Sequence, residues 1–364
     1  MSGNLSPKRI CYIAASCSTH TKKWCDWFSG RGHDVHVVTF DDAGIESANV
    51  HCLELPETAS AGDPRKIAYL SRARRLRQIL DEIQPDIVHA HYASSYGTLA
   101  AMGCKRPYYL SMWGSDIYRF PRASPLHRLM LQFSLSRASW LMSTSNAMAE
   151  EARRYISAPI EITPFGVDTS IFFPDETRHE PQFFTVGTVK GLKSVYGIDT
   201  LLRGCAHVLK LEPSMPLRIR IAGKGSEELS LRALAKQLGL ADRIDWLGFV
   251  DPVAVPAIWN SLDLALIPSN SESFGVAAIE AQSCSVPVIT STLPGLLEAT
   301  DPEANGMAVA PGDYVALGEA IAELYRDPAK RTSLGRSGRD FAVKTYDIDS
   351  CFEHVERVYA RNLR

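Results

Sequence analysis

The feature that most restricts this chain is a rhythm of short apolar runs separated by helical patterns. In the first half the runs are RICYIAAS, DVHVVTF, DIVHAHYA, PYYLSMW, WLMSTS and IEITPF. In the second half they are FFTVGTV, LRIRIAG, IDWLGF, LALIPS, VPVITS and GMAVAP. Most are continuous rather than alternating, the pattern of strands covered on both faces. Between them KKWCDWFSGRG, AYLSRARRLRQILDEI, SNAMAEEARRY, IDTLLRGCAHVLK, LSLRALAKQLGL and GVAAIEAQSC read as helices. Strand-helix-strand order of this kind predicts parallel sheets with helices on both sides. The series occurs twice, so the expected fold is α/β with two doubly wound domains.

At 364 residues the chain is too long for one ordinary core, which agrees with that reading. The boundary is expected in GVDTSIFFPDETRHEPQFF, rich in Pro and charge. Residues 1–174 then form the first domain and 175–346 the second, with a C-terminal helix over 347–364 packing back on the first. Ligands of open α/β sheets bind beyond the carboxyl ends of the strands, so two such sheets facing each other predict a cleft between domains. A formal net charge of -2 removes any global electrostatic case for nucleic acid. Eight cysteines stand singly, with no C-x-x-C, which suits a reducing cytoplasm rather than a zinc ribbon or redox pair. Residues Ile10 to Ala15 read as a strand rather than a signal core, and no apolar stretch approaches the ~20 residues a bilayer span needs.

The stretch SESFGVAAIEAQSCSVPVI places Glu272 and Glu280 around Phe274, Gly275 and Val276. A helix opening near Gly275 aims unpaired backbone N–H groups forward, and such an end attracts phosphates. The two carboxylates are then either dipole partners, worth about 0.3–1 kcal/mol each, or holders of hydroxyls on a phosphate-bearing ligand. The local sequence leaves both readings open.

Company resolves the choice. RIDWLGFV, PAIWNSLDLALIPSNSESFGVAAIEAQSCSVPVITSTLPGLLE and NGMAVAPGD follow in order, after GVDTSIFFP and VGTVKGLKSVYGIDTLL, with GHDVHVVT and DIVHAHYA in the first half. This arrangement resembles the retaining glycosyltransferases of the GT-B fold, group 1 or family 4, in which two doubly wound, Rossmann-like domains face each other across a cleft. The most specific element is E-x7-E within ESFGVAAIEA. The resemblance implies a nucleotide-diphosphate sugar as donor, Glu280 on its ribose, Glu272 beside its sugar, and the backbone N–H groups around Phe274, Gly275 and Val276 on diphosphate or sugar hydroxyls. It also implies retention of configuration. No spacing suggests paired carboxylates for double displacement, so front-face attack without a divalent metal is expected.

Two departures carry weight. The family's diphosphate-neutralising arginine and lysine are replaced by Thr188 and, if Gly197 is the matching glycine, Tyr196. A leaving diphosphate still needs positive charge, so Lys190 is expected to supply it, with Lys193 in reserve. In the first half Trp113 stands where many relatives have a histidine, in LSMWGSDIYR. Asp116 just after it is read as a ligand of the donor sugar or acceptor hydroxyl, or as a helix cap. The loop AASCSTHTKKW lacks the family's glycines and points His20 toward the acceptor side. Gly223 and Gly225, in GKGSEE, form a turn that lies near the nucleobase in relatives.

Weaker signals have bland readings. His89 and His91 alternate on a strand, a poor metal site without a third ligand. Asp347-Ile-Asp349 spells D-x-D but precedes the last helix and reads as its cap. RKIAYLSRARRLRQIL is basic, and Arg65, Arg72 and Arg75 beside Ile67, Leu70, Leu76 and Leu80 suggest either an anionic membrane surface or a helix packed on its sheet; the second is preferred. The expected protein is a cytoplasmic glycosyltransferase, peripheral at the inner face of a membrane if that basic helix docks. Its acceptor is a glycan, a lipid-linked oligosaccharide or a small molecule, with bacterial polysaccharide or lipid-linked glycan synthesis as the setting. The alternatives are a sugar-nucleotide epimerase of the same fold and a catalytically silent sugar-nucleotide-binding partner.

Overall fold

The computed structural model of the chain describes residues 5–41, 43–54, 72–175, 177 and 180–363. The chain divides into two compact units, one of Met1–Phe165 with Cys351–Arg364 and one of Gly166–Ser350.

The first unit holds a seven-stranded sheet in the order β3-β2-β1-β4-β5-β6-β7. Its strands are β1 (Arg9–Ile13), β2 (Asp34–Thr39), β3 (Asn49–Cys52), β4 (Ile87–His91), β5 (Tyr109–Met112), β6 (Trp140–Ser143) and β7 (Ile160–Ile162). All pairings are parallel, and β1 sits between β2 and β4, so the order reverses beside it. The continuous apolar runs have their cause here: Ile10 to Ile13 are fully buried, as is every residue of β4. Strand β3 had no apolar run to reveal it, being a short, half-exposed NVHC at the sheet edge.

Between β3 and β4, the helix Ala73–Ile83 turns Leu76, Ile79, Leu80 and Ile83 into the core. A leucine buried this way contributes about 1.5–3 kcal/mol. The described part of the basic segment is therefore a packing helix and keeps no apolar stripe for a membrane; Arg65, Ile67 and Leu70 lie outside the described residues. The C-terminal helix Ile348–Asn362 belongs to this unit from Cys351 on. It buries Phe352 against Trp24 (5.1 Å between ring centroids) and Tyr359, whose hydroxyl lies 2.6 Å from His89 Nδ1.

The second unit holds a six-stranded parallel sheet in the order β10-β9-β8-β11-β12-β13. The strands are β8 (Phe184–Val189), β9 (Leu217–Ala222), β10 (Ile244–Gly248), β11 (Leu264–Ile267), β12 (Val288–Ser291) and β13 (Gly306–Val309). Here the order reverses between β8 and β11, which pair directly at Gly187 and Ala265. The unit begins earlier than the boundary read from the sequence. The Arg339 guanidinium donates to the carbonyls of Phe172 (2.6 Å), Thr169 (3.2 Å) and Ser283 (2.5 Å), and Val167 N donates to Tyr346 O, so the Pro-rich segment is tied to this unit. Asp347 accepts from Asp349 N at 3.1 Å and from Thr169 Oγ1 at 2.6 Å, so D-x-D is a helix cap.

Candidate active site

In an open parallel sheet, the loops leaving the two strands at a reversal of order diverge and leave a crevice at their carboxyl ends. In the second unit those loops follow β8 and β11. The first carries Lys190 and the second Glu272, and Lys190 Nζ donates to Glu272 Oε2 at 2.6 Å. Each side chain keeps 13% of its exposure, so the pair is mostly shielded yet reachable. The ammonium also lies 4.9 Å from the Tyr196 ring centroid, a placement that favours a cation. Burial opposes the Lys190 charge, but Glu272, Tyr196 and Glu280 together hold its pKa above the ordinary lysine value. The cation stays charged across the physiological range.

The loops around the pair are tied to one another by backbone. Lys190 N donates to Ala222 O, Leu192 N to Lys224 O, and Asn270 N to Val195 O. Gly223 and Gly225 permit this: a Cβ on the first would collide with the Lys190 carbonyl, and on the second with that of Leu192. These glycines let the loop after β9 press on the loop that aims Lys190. Lys193, the reserve cation, is exposed and lines a separate cavity of about 310 Å³ with Asp199, Glu227 and Asn270. Thr188 is fully buried within β8. Its hydroxyl is enclosed there without a hydrogen-bond partner among the described residues.

The helix after β11 is Val276–Ser283, and Gly275 caps it at φ 97° and ψ 42°, a left-handed conformation that glycine adopts without strain. Ala278 N and Ile279 N turn back to Gly275 O, and the preceding N–H groups have no intrahelical acceptor. Phe274 is buried against Tyr346, so its ring anchors the loop and only its backbone is available to a ligand. Glu280, one turn into the helix, is half-buried and accepts from Trp259 Nε1 at 3.4 Å. The contacts of Tyr196 with Lys190 and of Trp259 with Glu280 were not expected; PAIWNS was read only as part of a family pattern.

The corresponding edge of the first unit differs. Asp116 is fully buried, and its carboxylate accepts from Ala93 N (2.7 Å), Gly114 N (2.7 Å) and Trp113 N (3.2 Å). Burial pushes its pKa up while these donors pull it down, with a net upward shift. Asp116 therefore positions the loops after β4 and β5, and this arrangement does not offer it to a sugar or acceptor hydroxyl. His20 lies in the first turn of the helix Thr19–Gly30 rather than in a loop. It stacks on Phe165 at 3.9 Å, and the Trp113 ring stands edge-on to both at 5.9 and 5.3 Å. These three rings form an aromatic wall. His89 is bound on both nitrogens, to Tyr359 and to Ser111 Oγ (2.8 Å), so it holds the core together.

The first unit matches the family described as Glycosyl transferase 4-like over residues 9–145, and the second matches Glycosyl transferases group 1 over residues 171–341. The chain belongs to the group 1 glycosyltransferases of the GT-B fold. A D-inositol 3-phosphate glycosyltransferase of Segniliparus rotundus is 30% identical over 230 residues, which is 59% of this chain and 51% of that protein. The chain spans about half the length of such relatives. An uncharacterized glycosyltransferase of Methanocaldococcus jannaschii is 22% identical over 95% of this chain and 94% of its own. Sucrose-phosphate synthase from Thermosynechococcus elongatus superposes on this glycosyltransferase with a TM-score of 0.87 at 18% identity, covering 97% of this chain and 98% of that one. Anabaena HepE in complex with UDP and glucose gives 0.81 at 17%, covering 97% and 100%. Among the described residues no helix is long and apolar enough to cross a membrane.

Proposed function

We propose that this glycosyltransferase moves a sugar from a nucleotide-diphosphate donor to an acceptor hydroxyl with retention of configuration. The observation that carries the reading is the shielded Lys190–Glu272 pair at the strand-order reversal, beside the open N-terminus of the helix Val276–Ser283. In this reading Lys190 and the backbone N–H groups of Gly275 and Val276 meet the diphosphate, whose charge grows as the glycosidic bond breaks. Glu272 orients the ammonium and contacts the donor sugar, and Glu280 accepts from the ribose hydroxyls. The leaving phosphate takes the acceptor proton, so no protein base and no divalent metal are required. The half-buried rings of His20 and Trp113, backed by the buried Phe165, offer a surface to a sugar or ring-bearing acceptor.

HepE is described in complex with UDP-glucose, which supports a nucleotide-sugar donor. The acceptor class is a glycan or lipid-linked glycan of bacterial polysaccharide synthesis; the inositol-phosphate relatives favour a phosphorylated polyol as the second reading. A thermal-shift screen of UDP-, GDP-, ADP- and TDP-sugars names the donor, and the anomeric proton signal of the transfer product tests retention. Epimerised donor without acceptor, or tight binding with no turnover, overturns the reading in favour of an epimerase or a silent binding partner.

A further inference from the structure

The cavity of about 310 Å³ beside Lys193 is lined by neither Lys190 nor Glu272, yet it is walled by the same two loops. Its other walls are the first turns of the helices Ile198–Leu211 and Glu228–Gln237. Ile198 and Leu231, buried in the core of this unit, form its apolar side together with Leu234. A volume near the lower end of roughly 300–1,000 Å³, with an apolar wall and a few converging polar groups, suits a small molecule.

The polar groups decide what fits. A helix N-terminus favours an anion, but each of these helices already has a carboxylate there: Asp199 in the first turn of one and Glu227 at the cap of the other. Among the described residues that line the cavity, these two acids stand against the one ammonium of Lys193, which leaves no net positive charge for a phosphate. A carboxylate only accepts hydrogen bonds and an ammonium only donates them, whereas a hydroxyl does both. Ser194 and Ser230 add hydroxyls of their own, and the aliphatic side suits a C–H face. A compact molecule with several hydroxyls and one apolar face is a monosaccharide or a cyclic polyol.

Short connections join the cavity to the ion pair. Lys193 stands three residues after Lys190, and Asn270 two residues before Glu272. The Asn270 side-chain amide donates to Ser194 O at 2.9 Å, and Asn270 N and Ser271 N both donate to Val195 O. On the other flank Glu227 N donates to Leu192 O at 3.0 Å. A ligand spanning Lys193, Asn270 and Glu227 holds the loop geometry that brings Lys190 to Glu272. Binding to one arrangement of a loop raises its population, and the coupling between two sites is reciprocal.

We propose that this cavity is an effector site for a free monosaccharide or cyclic polyol, and that its occupancy tightens binding of the nucleotide-sugar donor. The coupling rests on the proposed role of Lys190; the binding itself does not. Calorimetric titration of the full chain uses D-glucose, D-galactose and myo-inositol as probes, each alone and with the nucleotide-sugar that the donor screen selects. At least one probe should bind saturably, and at saturation the donor should bind about fivefold tighter or more. Ser230→Trp, which fills the cavity from an exposed position, should abolish probe binding and leave donor affinity in the absence of probe as in the parent. Asp199→Asn, which keeps the shape and removes a charged acceptor, should weaken probe binding about tenfold. Absence of saturable binding by all three probes, or binding untouched by both variants, overturns the site. Competition between probe and intact donor overturns it too, because it places the probe in the donor's own position. Binding here with donor affinity unchanged overturns the coupling. A chain that binds a probe here but no nucleotide-sugar supports the site and overturns the donor reading, coupling included.

Discussion

The carboxyl ends of the two sheets put acidic groups to opposite uses. At the β8 and β11 ends of the second unit, Glu272 stands at a shielded but reachable surface and holds a cation. At the β4 and β5 ends of the first, Asp116 is fully buried and holds only its own backbone. The same topology thus yields one edge with a shielded ion pair beside a helix N-terminus and one edge lined by the half-buried rings of His20 and Trp113. The difference teaches that an acid near a strand end is open to a ligand only where it reaches the surface, as Glu272 does and Asp116 does not. Burial and hydrogen-bond partners decide that, and sequence position does not.

The comparison is tested most forcefully by acid. Burial pushes His89 down to about 3, and burial with the neighbouring His89 and His20 holds His91 well below the ordinary histidine value. Both are neutral in the fold, so the unfolded chain takes up protons first as the pH falls below about 6.5. Stability present above that pH is lost below it, at about 1.4 kcal/mol per pH unit for each histidine. Asp116, pushed upward, opposes part of this at lower pH. The protection of β4 amides, corrected for their intrinsic exchange rates, should therefore fall between pH 6.5 and 5 far more than that of β11. An equal fall in the two strands removes the distinction.

Next in size is Lys190→Ala, which should lower turnover by about 10²–10³, the cost of a transition-state donor. Lys193→Ala, at an exposed side chain, should cost much less. A mild Lys190→Ala beside a damaging Lys193→Ala means that the cations have been assigned in the wrong order. Rescue by Thr188→Arg is not expected, because position 188 is fully enclosed. Glu280→Ala should weaken nucleotide binding by about 1.5–3 kcal/mol, roughly ten- to a hundredfold, by removing a charged acceptor. Calorimetric titration checks this, and an unchanged affinity takes Glu280 out of the site. Smallest is Asp116→Asn, expected to cost about 1–3 kcal/mol of stability through its poorly matched amide, with nucleotide affinity unchanged. A loss of affinity without a loss of stability would make Asp116 a ligand contact after all.

The sheets were legible because their strands are buried on both faces, which writes unbroken apolar runs into the sequence. Strand β3, polar and at an edge, left no such mark. The helix Tyr96–Gly103 was missed because nearly every side is buried and no period shows. The helix Pro125–Arg137 was missed because its exposed leucines blur the inner stripe. At the site, Glu272, Glu280 and Lys190 could be named from their pattern. Their meeting, across 82 positions between Lys190 and Glu272, could not. The inward turn of Asp116 was equally hidden, since it depends on three backbone donors from two loops.

The central claim is that Lys190, held by Glu272 at the strand-order reversal, meets the donor's diphosphate. The direct measurement compares the affinities of the nucleoside monophosphate and diphosphate, with the base chosen by the donor screen, in the parent chain and in Lys190→Ala. The account predicts that the diphosphate binds tighter to the parent and that most of this advantage disappears in the variant, with monophosphate affinity nearly unchanged. An advantage preserved in Lys190→Ala contradicts it.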